Sequence, residues 1–251
     1  MLRGLIRERV TVDIVDARTR ILEAAADLLS RSSEADFSTR AVCEAAGVGA
    51  PALYRQFGDK EGLLSAVVDF GFEQYLAAKR AAQPSADPVQ DLRDGWDNHV
   101  AFAVENPNYY RLMFSPGLSA PPAAVAEAHD LLLAVLRRCA AAGRLRTSPE
   151  TAARMIMSAN SGVALSLISR PAFYPDPDFS HRVRDAVIGS ITVPEDSRAV
   201  DSRDPAADTT AVMAAALGAR LQEESPDALT KEETALLRQW LRRLADASAS
   251  A

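Results

Sequence analysis

The sequence is short of cysteine, histidine and lysine, and it has no long apolar run. Two cysteines, Cys43 and Cys139, in 251 residues are too few for a disulfide framework. They read as buried free thiols of a reducing compartment. The three histidines, His99, His129 and His181, lie far apart and show no metal-ligand spacing. No stretch approaches the roughly 20 uncharged apolar residues of a spanning helix. The opening MLRGLIRERVTVDIVD breaks its apolar positions with Arg3, Arg7, Glu8, Arg9, Asp13 and Asp16. A signal peptide needs an unbroken apolar stretch and a small-residue cleavage site. The sequence therefore predicts a cytoplasmic protein without a membrane partner. The three lysines against 25 arginines read as coding bias.

Catalytic signals are missing too. There is no nucleophile–base pair, no phosphate-binding glycine loop and no metal motif, so an enzyme is not expected and no cofactor or metal is implied. Asp94 and Asp97 near Glu105 read as a solvated helix face, because their spacing fixes no shared geometry.

What is present is an ordinary globular composition, 48% hydrophobic and 25% charged. The length fits one large domain or two ordinary ones, with enough core to fold unaided. The net charge of −6 is uneven. Residues 1–60 hold nine basic and nine acidic residues, against 19 and 25 in the remainder. A neutral head on an acidic body is compatible with a DNA-binding head on a body that binds something else.

The apolar spacing is helical nearly throughout, and no strand-period segment exceeds a few residues. Ile21, Leu22, Ala25, Leu28 and Leu29 form the stripe of a first helix over about 15–30. Ser38 or Thr39 caps a short helix that Gly47 ends. Pro51 fits the first turn of a third helix, to about Phe57. Asp59 caps a fourth, towards Arg80. Further helices are expected over about 89–104, from Asn106-Pro107, over 123–142, 149–169 and 181–191, and in the tail over 209–224 and 230–245. Thr230-Lys231-Glu232-Glu233 is a capping-box pattern. The expected layout is an N-terminal arm (1–14), a helix-turn-helix domain (15–62), a helical ligand-binding and dimerisation domain (63–192), and a linker with a C-terminal helical extension (193–251).

Residues 15–64 carry the most information. Three helices with a tight glycine turn between the second and third suit a helix-turn-helix. Ala45 and Ala46 leave room for the close crossing. Val48, Leu53 and Phe57 give the third helix an apolar back towards Phe37, Val42 and the first-helix stripe. Arg55 and Gln56 then point outward with groove-reading chemistry, Arg for guanine and Gln for adenine. Arg40 can reach a base or phosphate, and Lys60 a phosphate. Tyr54 is either core or a phosphate-contacting hydroxyl.

Ser38-Thr39-Arg40-Ala41-Val42, Ala46-Gly47-Val48, Ala52-Leu53-Tyr54-Arg55-Gln56-Phe57 and Asp59-Lys60-Glu61-Gly62-Leu63-Leu64 together resemble the N-terminal domain of the TetR family. The resemblance covers about fifty residues, with several motifs in the right order. It implies a homodimeric, all-α transcriptional regulator, with an N-terminal helix-turn-helix and a larger C-terminal domain for ligand binding and dimerisation. Carried over by position, the family's DNA contacts fall on Thr39, Arg40, Ala50, Pro51, Ala52, Tyr54, Arg55, Gln56 and Lys60. Ala50 and Ala52 depart from the longer polar residues of some members and offer only methyl contacts. The stretch Glu105–Phe114, with Ala140–Arg146, is similar to one subgroup of the family's C-terminal domains. That subgroup often carries a histidine where this chain has Ser158-Ala159-Asn160-Ser161-Gly162, so any role of that histidine is absent here.

Trp96, His99, Phe102, Tyr110, Met113, Phe114 and Met157 are candidates to line a ligand pocket, or else plain core. Asn160 and Ser161 face either that pocket or solvent. Two functions fit. One is a dimeric repressor released from a palindromic double-stranded operator by a small, largely apolar effector. The other is a DNA-binding regulator with no small-molecule effector, controlled by a protein partner that the Trp240-containing tail could serve.

Overall fold

The computed structural model describes residues 17–29, 31, 37–81, 83–114, 123–193, 205–224, 226 and 228–247. The expected N-terminal arm and most of the expected linker lie outside the described residues. Among the described residues the regular secondary structure is helical, including one 3-10 turn, Pro171–Phe173, apart from one isolated antiparallel bridge between Leu145 and Thr192. The fold class is all-α, as the apolar period implies.

The helices are α1 (residues 17–29), α2 (Thr39–Ala46), α3 (Ala50–Phe57), α4 (Lys60–Ala81), α5 (Pro88–Glu105), α6 (Pro107–Met113), α7 (Ala123–Ala141), α8 (Pro149–Ser169), α9 (Phe179–Ile191), α10 (Pro205–Glu223) and α11 (Lys231–Ala247). Two sequence boundaries shift. α9 starts at Phe179, two residues before the helix expected from residue 181. α10 starts at Pro205, inside the expected linker, because proline is well suited to a helix's first turn.

The chain divides into two compact units. The first comprises Met1–Ala81 with Glu105–Glu127, and the second Ala82–Val104 with Ala128–Ala251.

In the first unit, Ile21, Leu22, Ala25, Ala26 and Leu29 of α1 are buried, while Leu28 is only half-buried. Leu63, Leu64, Val67, Val68, Phe72, Tyr75 and Leu76 of α4 are also buried, on the spacing the sequence shows. α6 packs on α4, and its Asn108 Nδ2 donates to the Leu29 carbonyl at 2.8 Å. That bond satisfies a carbonyl near the end of α1, where helix carbonyls lose their internal partners.

The second unit is built around Val89, Leu92, Trp96, Leu136, Leu145, Ile156, Ile188 and Ile191. α10 and α11 pack against each other and add Ala214, Ala215, Ala219, Leu221, Leu241 and Ala245 to the same core. The tail is thus part of this unit's body. The capping box opens α11 as its sequence implies: Thr230 N–H donates to Glu233 Oε2 at 2.8 Å, and Glu233 N–H to Thr230 Oγ1 at 3.2 Å.

Candidate nucleic-acid interface

The turn between α2 and α3 depends on Gly47. Its φ of +66° lies in the left-handed region, open to glycine at no steric cost. There the Gly47 N–H donates to the Glu44 carbonyl and the Val48 N–H to the Cys43 carbonyl. This Schellman pattern ends α2 and turns the chain at once into α3. Pro51 occupies the first turn of α3, where its missing N–H costs nothing.

α3 buries one face and offers the other. Leu53 is fully buried and Phe57 nearly so, within a unit that also buries Phe37, Val42, Cys43 and Ala46. Val48, expected in that back face, is half-buried. Tyr54 is 45% exposed, which removes it from the core. Ala50, Pro51 and Arg55 are exposed; Ala52 and Gln56 are half-buried. The eight-residue helix is short enough that its end geometry determines where Arg55 and Gln56 point.

That end is held from several sides. The Gly58 N–H donates to the Tyr54 carbonyl at 2.8 Å and the Asp59 N–H to the Phe57 carbonyl at 3.0 Å. Asp59 then caps α4 by accepting the Gly62 N–H at 2.8 Å. A Cβ at Gly62 would lie 2.1 Å from the Phe57 carbonyl oxygen, so only glycine lets α4 begin this close to α3. Arg18 of α1 completes the set. Its Nη1 donates to the Gln56 carbonyl at 3.3 Å, and its guanidinium lies 4.6 Å from the Phe57 ring centroid. Sequence reading missed Arg18, because nothing in spacing links residue 18 to residue 56.

The other candidate contacts surround α3 in sequence. Thr39 is the first residue of α2 and Lys60 the first of α4. Lys60 is exposed, with Nζ 5.9 Å from the Phe37 ring centroid. Arg40 is exposed and pairs with Glu44 one turn on, at 3.0 Å. A pair this solvated holds its arginine weakly and leaves it available to a phosphate.

The proposed pocket residues divide between the units. Tyr110, Met113 and Phe114 belong to the first; Trp96, His99, Phe102, Met157, Asn160 and Ser161 to the second. Tyr110 is fully buried and in ring contact with Phe114 at 5.4 Å, while Phe114 is 46% exposed. Asn160 is buried and Ser161 half-buried. Asn160 Nδ2 donates to the Trp96 carbonyl at 3.3 Å, and the Trp96 indole N–H donates to Ser180 Oγ at 3.1 Å. Asn160 Oδ1 is buried without a partner among the described residues.

Both cysteines are buried free thiols, and burial pushes the Cys139 thiol up to about 12. Asp97 pairs with Arg184, and Asp94 accepts from Gln90. Among the described residues, no group of three His, Cys, Asp or Glu could hold a metal, and no helix is long and apolar enough to cross a membrane.

Residues 21–67 match the family model described as bacterial regulatory proteins, tetR family, and residues 92–188 match the tetracyclin repressor-like C-terminal domain. The chain belongs to the TetR family. As a TetR-family protein it is a DNA-binding transcriptional regulator, and not an enzyme. It is similar to the HTH-type transcriptional regulatory protein RaaS of Mycobacterium tuberculosis, 43% identical over 73 residues, which are 29% of this chain and 34% of RaaS. It is also similar to the nucleoid occlusion factor SlmA of a Marinomonas species, 30% identical over 105 residues, 41% of this chain and 53% of SlmA. The match thus spans about a third of RaaS and half of SlmA.

Solved structures share the fold. A tetR family transcription regulator from a Shewanella species superposes with a TM-score of 0.55 at 20% identity, covering 71% of this chain and 99% of that one. A TetR variant from Acinetobacter baumannii, in complex with minocycline, gives 0.53 at 19% identity, covering 68% and 93%. NalD, the secondary repressor of the MexAB-OprM multidrug efflux pump in Pseudomonas aeruginosa, gives 0.51 at 19%, covering 73% and 99%.

Proposed function

We propose that this TetR-family protein is a homodimeric repressor that binds a palindromic operator and is released by a small, largely apolar effector. The exposed face of α3 carries the reading. Tyr54, Arg55 and Gln56 stand on a helix anchored from behind by Leu53 and Phe57. Arg55 and Gln56 read base edges; Thr39, Arg40, Tyr54 and Lys60 hold phosphates; Ala50, Pro51 and Ala52 allow the helix to approach the groove closely. Two copies would read half-sites about 34–36 Å apart.

NalD, a repressor, and the TetR variant that holds minocycline share this fold, which supports the repressor and small-molecule parts of the reading. On this chain, the buried Asn160 Oδ1 beside Trp96 has no partner among the described residues and would accept a donor from an effector bound there. A coupling of about 1–3 kcal/mol between effector and operator gives 5–150-fold release. DNase footprinting on DNA flanking the protein's own gene, at stated salt, tests the reading. A two-fold-symmetric protected site, lost in Arg55→Ala, supports it. A site that survives Arg55→Ala removes α3 as the reading helix.

One observation favours the partner-controlled alternative. Met213 and Leu217 of α10, and Leu236, Trp240 and Leu244 of α11, are 45–66% exposed, at helical spacing on each helix. Rows of exposed apolar side chains such as these are surface that a protein partner could cover. A broad thermal-shift screen that finds no stabilising small molecule, while a copurifying protein changes operator affinity, would favour this alternative.

A further inference from the structure

We propose that Arg18 is a positioning residue for the reading helix, acting through its last turn rather than on DNA. The assignment rests on the DNA-binding reading above.

The argument begins with what a short helix leaves unsatisfied. The final carbonyls of α3 have no partner within the helix and carry the negative end of its dipole. Gly58 N–H covers the Tyr54 carbonyl and Asp59 N–H covers that of Phe57. The Gln56 carbonyl receives Nη1 of Arg18 at 3.3 Å. A cation is the best donor at this end, since its charge opposes the dipole.

The second contact fixes the geometry. The Arg18 guanidinium carbon sits 4.6 Å from the centroid of the Phe57 ring, which is itself buried. The arginine therefore holds a backbone atom and a side chain of adjacent residues in α3. A planar guanidinium can stack on a ring and donate at its edge together; an ammonium is a compact point charge. α1 thereby sets the tilt and roll of the turn that carries Arg55 and Gln56. Bidentate base readout tolerates little misplacement of those two residues. Loss of Arg18 should thus blur which base is preferred, and should not remove a phosphate contact.

The test uses full-length protein and a duplex that wild-type protein selects from random DNA. Arg18→Ala should fold with a near-normal melting temperature, since the side chain is exposed. Its operator affinity should fall roughly 3- to 10-fold, the ratio of an ordinary hydrogen bond. Preference across single-base substitutions should flatten, and the slope of log affinity against log salt should stay as in wild type. Arg18→Lys, which keeps a cation and N–H donors without the planar fork, should recover part of both affinity and preference.

Two results overturn the assignment alone. One is a salt slope reduced by about one contact with base preference intact, the signature of a phosphate ligand. The other is normal binding by Arg18→Ala. A wild-type protein that selects no duplex overturns the DNA-binding reading, and this assignment with it.

Discussion

Asp246, in the last turn of α11, accepts two hydrogen bonds from Ser148, the N-cap of α8, one from its backbone N–H and one from its hydroxyl, both at 3.0 Å. Thr147 and Thr151 donate to the same carboxylate. An anion at a helix N-terminus faces unpaired N–H groups and the positive end of the dipole. Ninety-eight residues apart in the chain, the two close the C-terminal extension onto the body.

This contact predicts an acid-sensitive stability. Burial works to raise the Asp246 carboxyl group, but the donors from Thr147, Ser148 and Thr151 outweigh it and hold the group below its ordinary value. Folding therefore favours the carboxylate. Its contribution is complete above the unfolded value near pH ~4 and is lost as pH falls through the lower folded value. Asp246→Ala should cost about 1–3 kcal/mol at neutral pH, for several lost hydrogen bonds. Denaturant unfolding should show the mutant's deficit shrinking below pH ~4.

Arg55→Ala should weaken operator binding by about 1–3 kcal/mol and relax specificity at one base pair. Gel-shift titration against single-substituted duplexes checks both. A uniform loss across all sequences would make Arg55 a phosphate ligand instead.

Gly62→Ala should be disruptive out of proportion to one methyl group. Its Cβ would meet backbone, the Phe57 carbonyl oxygen at 2.1 Å, and no side chain can swing away to relieve it. Thermal unfolding should register a loss of about 1–3 kcal/mol. Operator affinity should fall with it, since α3 and α4 must separate. A variant with unchanged melting and binding would show that the two helices do not approach this closely.

Neither thiol should react in the folded protein. Cys43 is nearly and Cys139 wholly inaccessible, and burial keeps the Cys139 thiol protonated at working pH. Labelling with a chromogenic disulfide at pH 8 should modify no cysteine without denaturant and two with it. Rapid native labelling would reopen Cys43 as a redox switch of the helix-turn-helix.

Local features were readable from the chain because their causes are local. Gly47 stops α2 because few other residues accept its backbone angles, and Pro51 starts α3 because its geometry already suits a first turn. The buried faces of α1, α3 and α4 follow the 3.6-residue period, which also identified the outward Arg55. The capping box at Thr230 and Glu233 needs only a spacing of three. These determine the all-α class, the helix-turn-helix and its exposed candidates.

What the tertiary structure alone decided concerns residues distant in sequence. Leu28 and Val48 belong to apolar patterns, yet only packing shows both half-buried. Asn160 is one polar residue among apolar ones in the sequence, and only the packing buries it beside Trp96. Arg18 looked like any solvated helix residue, and Asp246 like one more acid in a polar tail. Their roles arise from partners 38 and 98 residues away. Periodicity states which face of a helix turns inward; it carries no information about which other helix meets that face. That choice belongs to the packing of the whole chain, where long-range contacts are formed together and not one residue at a time.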